Sequence, residues 1–224
     1  MIEIELAGGA RARFTGRAEG DLGHAGAYVT DVSPEVAARR QAVLDLPWTW
    51  LRQVHGDRVV VVDGAGRQAG TKADAAVSDR RGCALAVLSA DCAPVALASP
   101  EGVIGAAHAG WSGLVAGVLE RTVEAMRGLG ATTVTAVLGP CIGAECYEFG
   151  VEDLARVADR VGPEVRSRTA DGRPALDVAA GVRVVLGRQE VVLDDRSVCT
   201  ACTPGYYSWR ARREYQRQAL IVWR

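Results

Sequence analysis

Residues 74–113 read DAAVSDRRGCALAVLSADCAPVALASPEGVIGAAHAGWSG, and the fold turns on this stretch. It holds three short apolar runs, over residues 84–89, 95–99 and 103–107. Each is too short for an ordinary helix and is bounded by turn residues, so each is predicted to be a buried strand. Asp91 and Cys92 stand beyond the first run, in SADCAP, and His108 at the end of the third, in AAHAGW. Ala, Gly and Ser crowd around them, whereas a core that needed only packing would be filled with Leu, Ile and Phe. The composition is that of a site.

Towards the amino terminus, IEIEL alternates as a strand and RARF reads as its hairpin partner. Residues 15–30 are rich in Gly and polar side chains and are expected to form a long loop. Ser33 and Pro34 are a helix start, N-cap followed by first helical position, for a helix reaching about Asp45. Residues 48–54 and 58–63 are expected strands, the first leading into His55, and residues 64–72 an exposed loop.

Towards the carboxyl terminus, residues 112–129 carry apolar side chains at helical spacing, from Leu114 to Leu129, with Gly128 and Gly130 as the stop. Residues 133–138 are predicted to be a strand running into the tight turn GPCIG. Residues 151–161 and 178–188 read as helices, and 191–193 and 220–223 as strands. Neither repeat nor linker is visible, so residues 1–224 are expected to form one mixed α/β domain.

The chain has 224 residues and a formal net charge of -1, which gives no sign of a nucleic-acid surface. Lys72 is the one lysine among the basic residues. The amino-terminal sequence lacks the features of a signal peptide, and no apolar run approaches the roughly 20 residues of a membrane span. The expected location is the cytoplasm, with no membrane partner; monomer and homodimer both remain open. Six cysteines, Cys83, Cys92, Cys141, Cys146, Cys199 and Cys202, then suggest reduced thiols with metal or catalytic uses rather than a disulfide framework.

The three histidines are His24, His55 and His108. His55 and His108 with the Cys92 thiolate make a natural donor set for Zn²⁺ or Cu²⁺, and three protein ligands leave a fourth position open. Zinc there would lower the pKa of its water to about 7. The ordinary alternative is two hydrogen-bonded histidines and a small buried thiol.

The segments HGDRV, DAAVSD, LSADCAPVALA, IGAAHAGWSGLVAGVLERTVEAM, LGPCIGAECYEFG and YYSWRARREYQRQALIVW resemble the YfiH/YlmD family over essentially the whole chain. This is the laccase-domain or "polyphenol oxidase" family, also described as purine nucleoside phosphorylases and as a peptidoglycan editing factor. The resemblance implies an α+β fold, a single domain of mixed β-sheets with packed helices. It implies His55, Cys92 and His108 as metal ligands. It also implies phosphorolysis of adenosine, inosine, guanosine and methylthioadenosine by inorganic phosphate, and deamination of adenosine by metal-bound water. The family's Gly-Gly-x-Ser stretch is missing after Arg17, where the chain reads FTGRAEGDLG, and so is a Leu-Asn pair, which puts substrate preference in doubt.

For phosphate, the backbone of residues 110–113 at a helix start beside His108 is the expected cradle, beginning at Gly110. Arg17 or Arg52 is a candidate clamp, unless it is a solvated surface residue. Asp91 is the candidate acid/base or orienter of a histidine, with Asp74 second in line; either could instead cap a turn. Cys141 either lines the pocket or packs.

Three histidines cannot build a multicopper oxidase, although a mononuclear copper site remains chemically possible. A cysteine hydrolase with Cys92 as nucleophile, acting on a peptidoglycan precursor, uses the same three residues. A zinc-stabilised interaction protein would rather use Cys199-Thr-Ala-Cys202, for which no second CxxC or CxxH pair completes four ligands.

Overall fold

The computed structural model describes residues 1–23 and 32–224. A hairpin of β1 (Ile2–Glu5) and β2 (Arg11–Phe14) is followed by α1 (Pro34–Val43), β3 (Trp48–Arg52), β4 (Val59–Val61), β5 (Thr71–Lys72) and β6 (Ala75–Ser78). The three apolar runs become β7 (Ala84–Ser89), β8 (Ala93–Ala98) and β9 (Ile104–Ala109). Then come α2 (Trp111–Ala116), α3 (Val118–Gly128), β10 (Thr135–Leu138), α4 (Val151–Val161), β11 (Arg166–Arg168) and β12 (Pro174–Leu176). The chain closes with α5 (Val178–Arg188), β13 (Val192–Asp195), α6 (Trp209–Arg212) and β14 (Gln218–Trp223). The class is α+β.

Two mixed six-stranded sheets carry the architecture, in the orders β1-β2-β14-β7-β3-β5 and β13-β10-β8-β9-β6-β4. They share an apolar layer in which Leu85, Val87, Leu220 and Val222 of the first meet Ala96, Ala98, Ile104 and Ala106 of the second. The opposite face of β8 and β9, with Val95, Leu97, Ala107 and Ala109, packs beneath Leu119 and Val123 of α3 and Val182 of α5. Ala84, Ala86 and Leu88, on the other face of β7, pack with Leu22, Trp48 and Val43. Burial on both faces is why these strands read as unbroken apolar runs rather than as alternation.

Ser33 caps α1 as expected, its hydroxyl accepting from Val36 N at 3.3 Å. The helix expected over residues 112–129 is two helices. Gly117 has φ 97°, a left-handed conformation that ends α2 and starts α3, although Val118, Leu119, Val123 and Met126 keep the buried spacing. The β11–β12 hairpin and α6 had no expectation, being elements of three or four residues without room for a period. Of the expected loop 15–30, residues 15–23 hold one 3-10 turn at Arg17–Glu19, and the rest, with His24, lies outside the described residues. The loop 64–72 ends in the short β5.

Candidate metal centre

In β9, Ile104 and Ala106 face the layer between the sheets, so His108, two residues on, points the same way at that layer's end. Cys92 sits in the turn where the chain leaves β7 in one sheet for β8 in the other. Asp91 shapes this turn with φ 96°, held by Thr200 Oγ1 and Arg210 N donating to its carboxylate at 2.7 and 2.6 Å. His55 also has a left-handed backbone, φ 58°. Such conformations cost about 1–3 kcal/mol each and persist only where the surroundings impose them.

Those surroundings for His55 are Asp74 and Ser112. The Asp74 carboxylate accepts from the backbone N–H groups of Val54, His55 and Gly56 at 3.1, 2.9 and 2.9 Å. The Ser112 hydroxyl donates to His55 O at 2.8 Å. Asp74 is fully buried and also lies 2.9 Å from His108 Nδ1. An ionised carboxylate only accepts, so Nδ1 carries a proton, and Nε2 is the ring nitrogen that offers a lone pair to a cation when the imidazole is neutral.

His55 Nε2 lies 3.8 Å from Cys92 Sγ, and the imidazoles stand edge to face at 4.9 Å between centroids. The ligand atoms of His55, Cys92 and His108 all lie within 4.8 Å of one another. Gly110 is needed beside them, because a Cβ there would sit 2.8 Å from His55 Cδ2 and 3.3 Å from Cys92 Sγ. Two imidazoles and one thiolate fit a borderline divalent cation of the zinc or copper kind.

Burial, the largest influence on Cys92, opposes ionisation, but the His108 charge and hydrogen bonds from His108 and His55 outweigh it and hold the thiol down at about 6. Burial likewise opposes charge on His108, and the Cys92 thiolate with the Asp74 hydrogen bond raises it to about 9. Burial works against the Asp74 carboxylate too, yet His108 and the backbone donors keep it below its ordinary value. Without a metal the site is therefore a thiolate–imidazolium pair braced by a carboxylate.

The cluster opens into a pocket of about 710 Å³. Trp111, Tyr147, Trp209 and Tyr215 give it aromatic walls, and Arg210 and Arg217 bring two cations. Trp209 and Tyr215 stack edge to face at 5.0 Å, and the Arg210 guanidinium lies 4.8 Å above the Tyr147 ring.

The structure thus brings together His55, Cys92, His108, Asp74 and Gly110. Asp91 borders the pocket, but its carboxylate is committed to Thr200 and Arg210, and the histidine orienter is Asp74 instead. Arg17 is turned elsewhere: it pairs with Glu214 at 2.6 Å, donates to the Pro204 and Tyr206 carbonyls and lies over Tyr207. Arg52 is the last residue of β3, between the pocket-lining Leu51 and Gln53, so its side chain leaves on the other face. Cys141 packs in the helix-side core, where burial pushes its thiol far up. The expected backbone cradle is the first turn of a helix only six residues long. Arg210, Arg217 and the four aromatic residues went unnoticed, although YYSWRARREYQR had displayed both residue types in one segment.

A family model described as "Multi-copper polyphenol oxidoreductase laccase" matches residues 11–224. The chain is 45% identical over 217 residues to purine nucleoside phosphorylase ORF3 of Streptomyces griseus, covering 91% of this chain and 87% of that protein. It is also 45% identical over 196 residues to a purine nucleoside phosphorylase of Streptomyces coelicolor, covering 84% and 80%. Among solved structures, YfiH of Bacillus licheniformis superposes with a TM-score of 0.82 at 26% identity, covering 95% of this chain and 92% of that one. YlmD of Geobacillus stearothermophilus gives 0.76 at 26% identity, covering 96% and 91%.

Proposed function

The chain belongs to the YfiH/YlmD family, whose sequence model carries the laccase description, and on that premise we propose that it is a metal-dependent purine nucleoside phosphorylase. The observation that carries this reading is one pocket that combines aromatic walls, two arginines and the His55–Cys92–His108 cluster. The names of the Streptomyces relatives point the same way.

The reading assigns each wall a task. Trp111, Tyr147, Trp209 and Tyr215 offer ring faces on which a purine stacks. Arg210 and Arg217 receive the phosphate dianion, a geometry suited to a guanidinium fork. His55, Cys92 and His108 hold the metal, Zn²⁺ in this proposal with Cu²⁺ as the alternative, and Asp74 fixes the His108 proton at Nδ1. A bound cation supplies Lewis acidity, polarising a substrate oxygen or acidifying water. The substrates proposed are adenosine, inosine, guanosine and methylthioadenosine, each cleaved to base and sugar 1-phosphate. Deamination is a separate reaction at the base: water attacks the purine C6 and ammonia leaves, which converts adenosine to inosine, and a bound cation would supply the acidified water.

The test is adenosine incubated with the zinc-loaded protein, with and without phosphate. Adenine and ribose 1-phosphate formed only with phosphate support phosphorolysis, and inosine formed in both supports the deaminase activity. No turnover of any of the four nucleosides overturns the proposal.

One observation favours a second reading: the Cys92 thiol held at about 6 beside His108 is an activated nucleophile. A cysteine hydrolase acting on a cell-wall precursor would be active without metal and blocked by alkylation, whereas the phosphorylase would need its cation.

A further inference from the structure

Cys199 and Cys202 have partners that spacing could not supply. β10 and β13 pair in parallel, Leu138 opposite Asp195, so the two chains leave the same sheet edge side by side. The pairing continues as a bridge between Cys141 and Cys199, with Cys141 N donating to Val198 O and Thr200 N to Cys141 O. The next residues of the first chain turn through a 3-10 segment, Ala144–Cys146, above the Cys199–Cys202 loop. Cys146 Sγ comes to 3.1 Å from Cys202 Sγ, and Cys202 Sγ to 3.6 Å from Glu145 Oε1. The ligand atoms of Glu145, Cys146, Cys199 and Cys202 all lie within 4.8 Å of one another.

We propose that these four residues form a second metal site, a closed zinc site separate from His55, Cys92 and His108. Three thiolates and one carboxylate give four donors, the number a structural zinc takes. The backbone N–H groups of Gly143 and Cys202 are directed at the Cys199 sulfur, which fixes its place in the cluster. Glu145 makes no salt bridge among the described residues, and its carboxylate faces the Cys202 sulfur. Two sulfurs on one zinc stand about 3.8 Å apart, given Zn–S bonds of about 2.3 Å and tetrahedral angles. The cluster therefore needs to open by a fraction of an ångström. A disulfide between Cys146 and Cys202 would instead leave Cys199, with its two backbone donors, and Glu145 without a common purpose. Zinc here staples together the two segments that carry pocket walls: Tyr147 follows Cys146, and Trp209 and Arg210 lie beyond Cys202. No step of the proposed reaction depends on it.

The experiment measures zinc by elemental analysis and intact mass, on protein purified under reducing conditions, loaded with zinc and desalted. Cys92→Ala is expected to keep about one zinc per chain, and Cys92→Ala combined with Cys202→Ser none. Cys202 is exposed, so Ser at that position leaves the core untouched. As a second readout, Cys92→Ala loaded with Co²⁺ should show sulfur-to-metal charge-transfer absorption that Cys202→Ser, or failing that Cys199→Ser, removes. A zinc-free Cys92→Ala protein overturns the proposal. So does zinc content indifferent to Cys202→Ser, or an intact mass lower by two hydrogens, the mark of a disulfide.

Discussion

Asp74 Oδ1 lies 2.9 Å from His108 Nδ1, and the same buried carboxylate accepts the backbone N–H groups on both sides of His55. One side chain thus orients two of the three metal-binding candidates, one through its ring and the other through its backbone. Asp74→Asn keeps the shape but replaces an acceptor with a group that must also donate into a ring of donors. Partners of this kind typically contribute 10–100-fold to metal affinity, so zinc binding should weaken by about that factor. Competition with a chromogenic chelator measures it, and an unchanged affinity would remove Asp74 from the site.

Gly110→Ala tests the close approach of backbone and ligands. Its φ of -76° suits any residue, so the main-chain conformation should survive. The new methyl would press on His55 Cδ2 and Cys92 Sγ. Metal content of the desalted protein should fall while the unfolding temperature of the metal-free form changes little. A variant that binds zinc like the parent would mean that His55 can swing clear, and that its observed position does not matter.

The two residues next to the ligands show what a sequence can and cannot reveal. The strands β7, β8 and β9 were legible because chains buried on both faces are continuously apolar, and His108 could be placed at a strand end. Asp91, adjacent to Cys92, looked like the orienter; chain adjacency was misleading because the φ of 96° turns its side chain towards Thr200 and Arg210. Asp74 does the work from 34 residues before His108, brought there by the pairing of β6 with β9. The Cys199–Cys202 pair was visible, but Cys146, 56 residues before Cys202, is delivered by the parallel pairing of β10 and β13, which no local pattern announces.

Gly117→Ala distinguishes the single helix suggested by apolar spacing from the two helices observed. In a continuous helix, Ala in place of Gly would stabilise by about 1 kcal/mol. At φ 97° the added Cβ instead costs about 1–2 kcal/mol, because the left-handed backbone crowds it. The unfolding midpoint in urea should therefore fall. A rise would mean that residues 111–128 form one helix in solution.

In the metal-free protein, thiol reactivity should follow the electrostatics of the cluster. Cys92 is held at about 6 and His108 at about 9. Ionised Cys92 stabilises the fold at higher pH, and that contribution is lost as pH falls through about 6. Charged His108 contributes fully below its ordinary value of 6.5, and that contribution is lost as pH rises through about 9. Each shift depends on the other group's charge, so their mutual attraction helps the fold only between these limits, where both are ionised. Alkylation by iodoacetamide, mapped by mass spectrometry, should be half-maximal at Cys92 near pH 6, and zinc should protect it. Half-maximal labelling near the ordinary thiol value would show that His108 is neutral there.

The arginines give a test of how phosphate is held. Arg217 lines the pocket, where its Nη1 donates to the Glu214 and Gln216 carbonyls at 3.0 and 2.8 Å, leaving the rest of its fork for a ligand. Arg17 spends its donors on Glu214, Pro204 and Tyr206, away from the aromatic walls. A charge-assisted hydrogen bond is worth about 1.5–3 kcal/mol, which corresponds to roughly 10–150-fold in affinity. Arg217→Gln should therefore raise the KM for phosphate by at least about tenfold while leaving the nucleoside KM nearly unchanged. Arg17→Gln should lower the unfolding temperature by loosening the segment around Tyr206 and Glu214, with little effect on the phosphate KM. The reverse pattern would move the anion site to Arg17 and would require the 204–214 segment to rearrange when substrate binds.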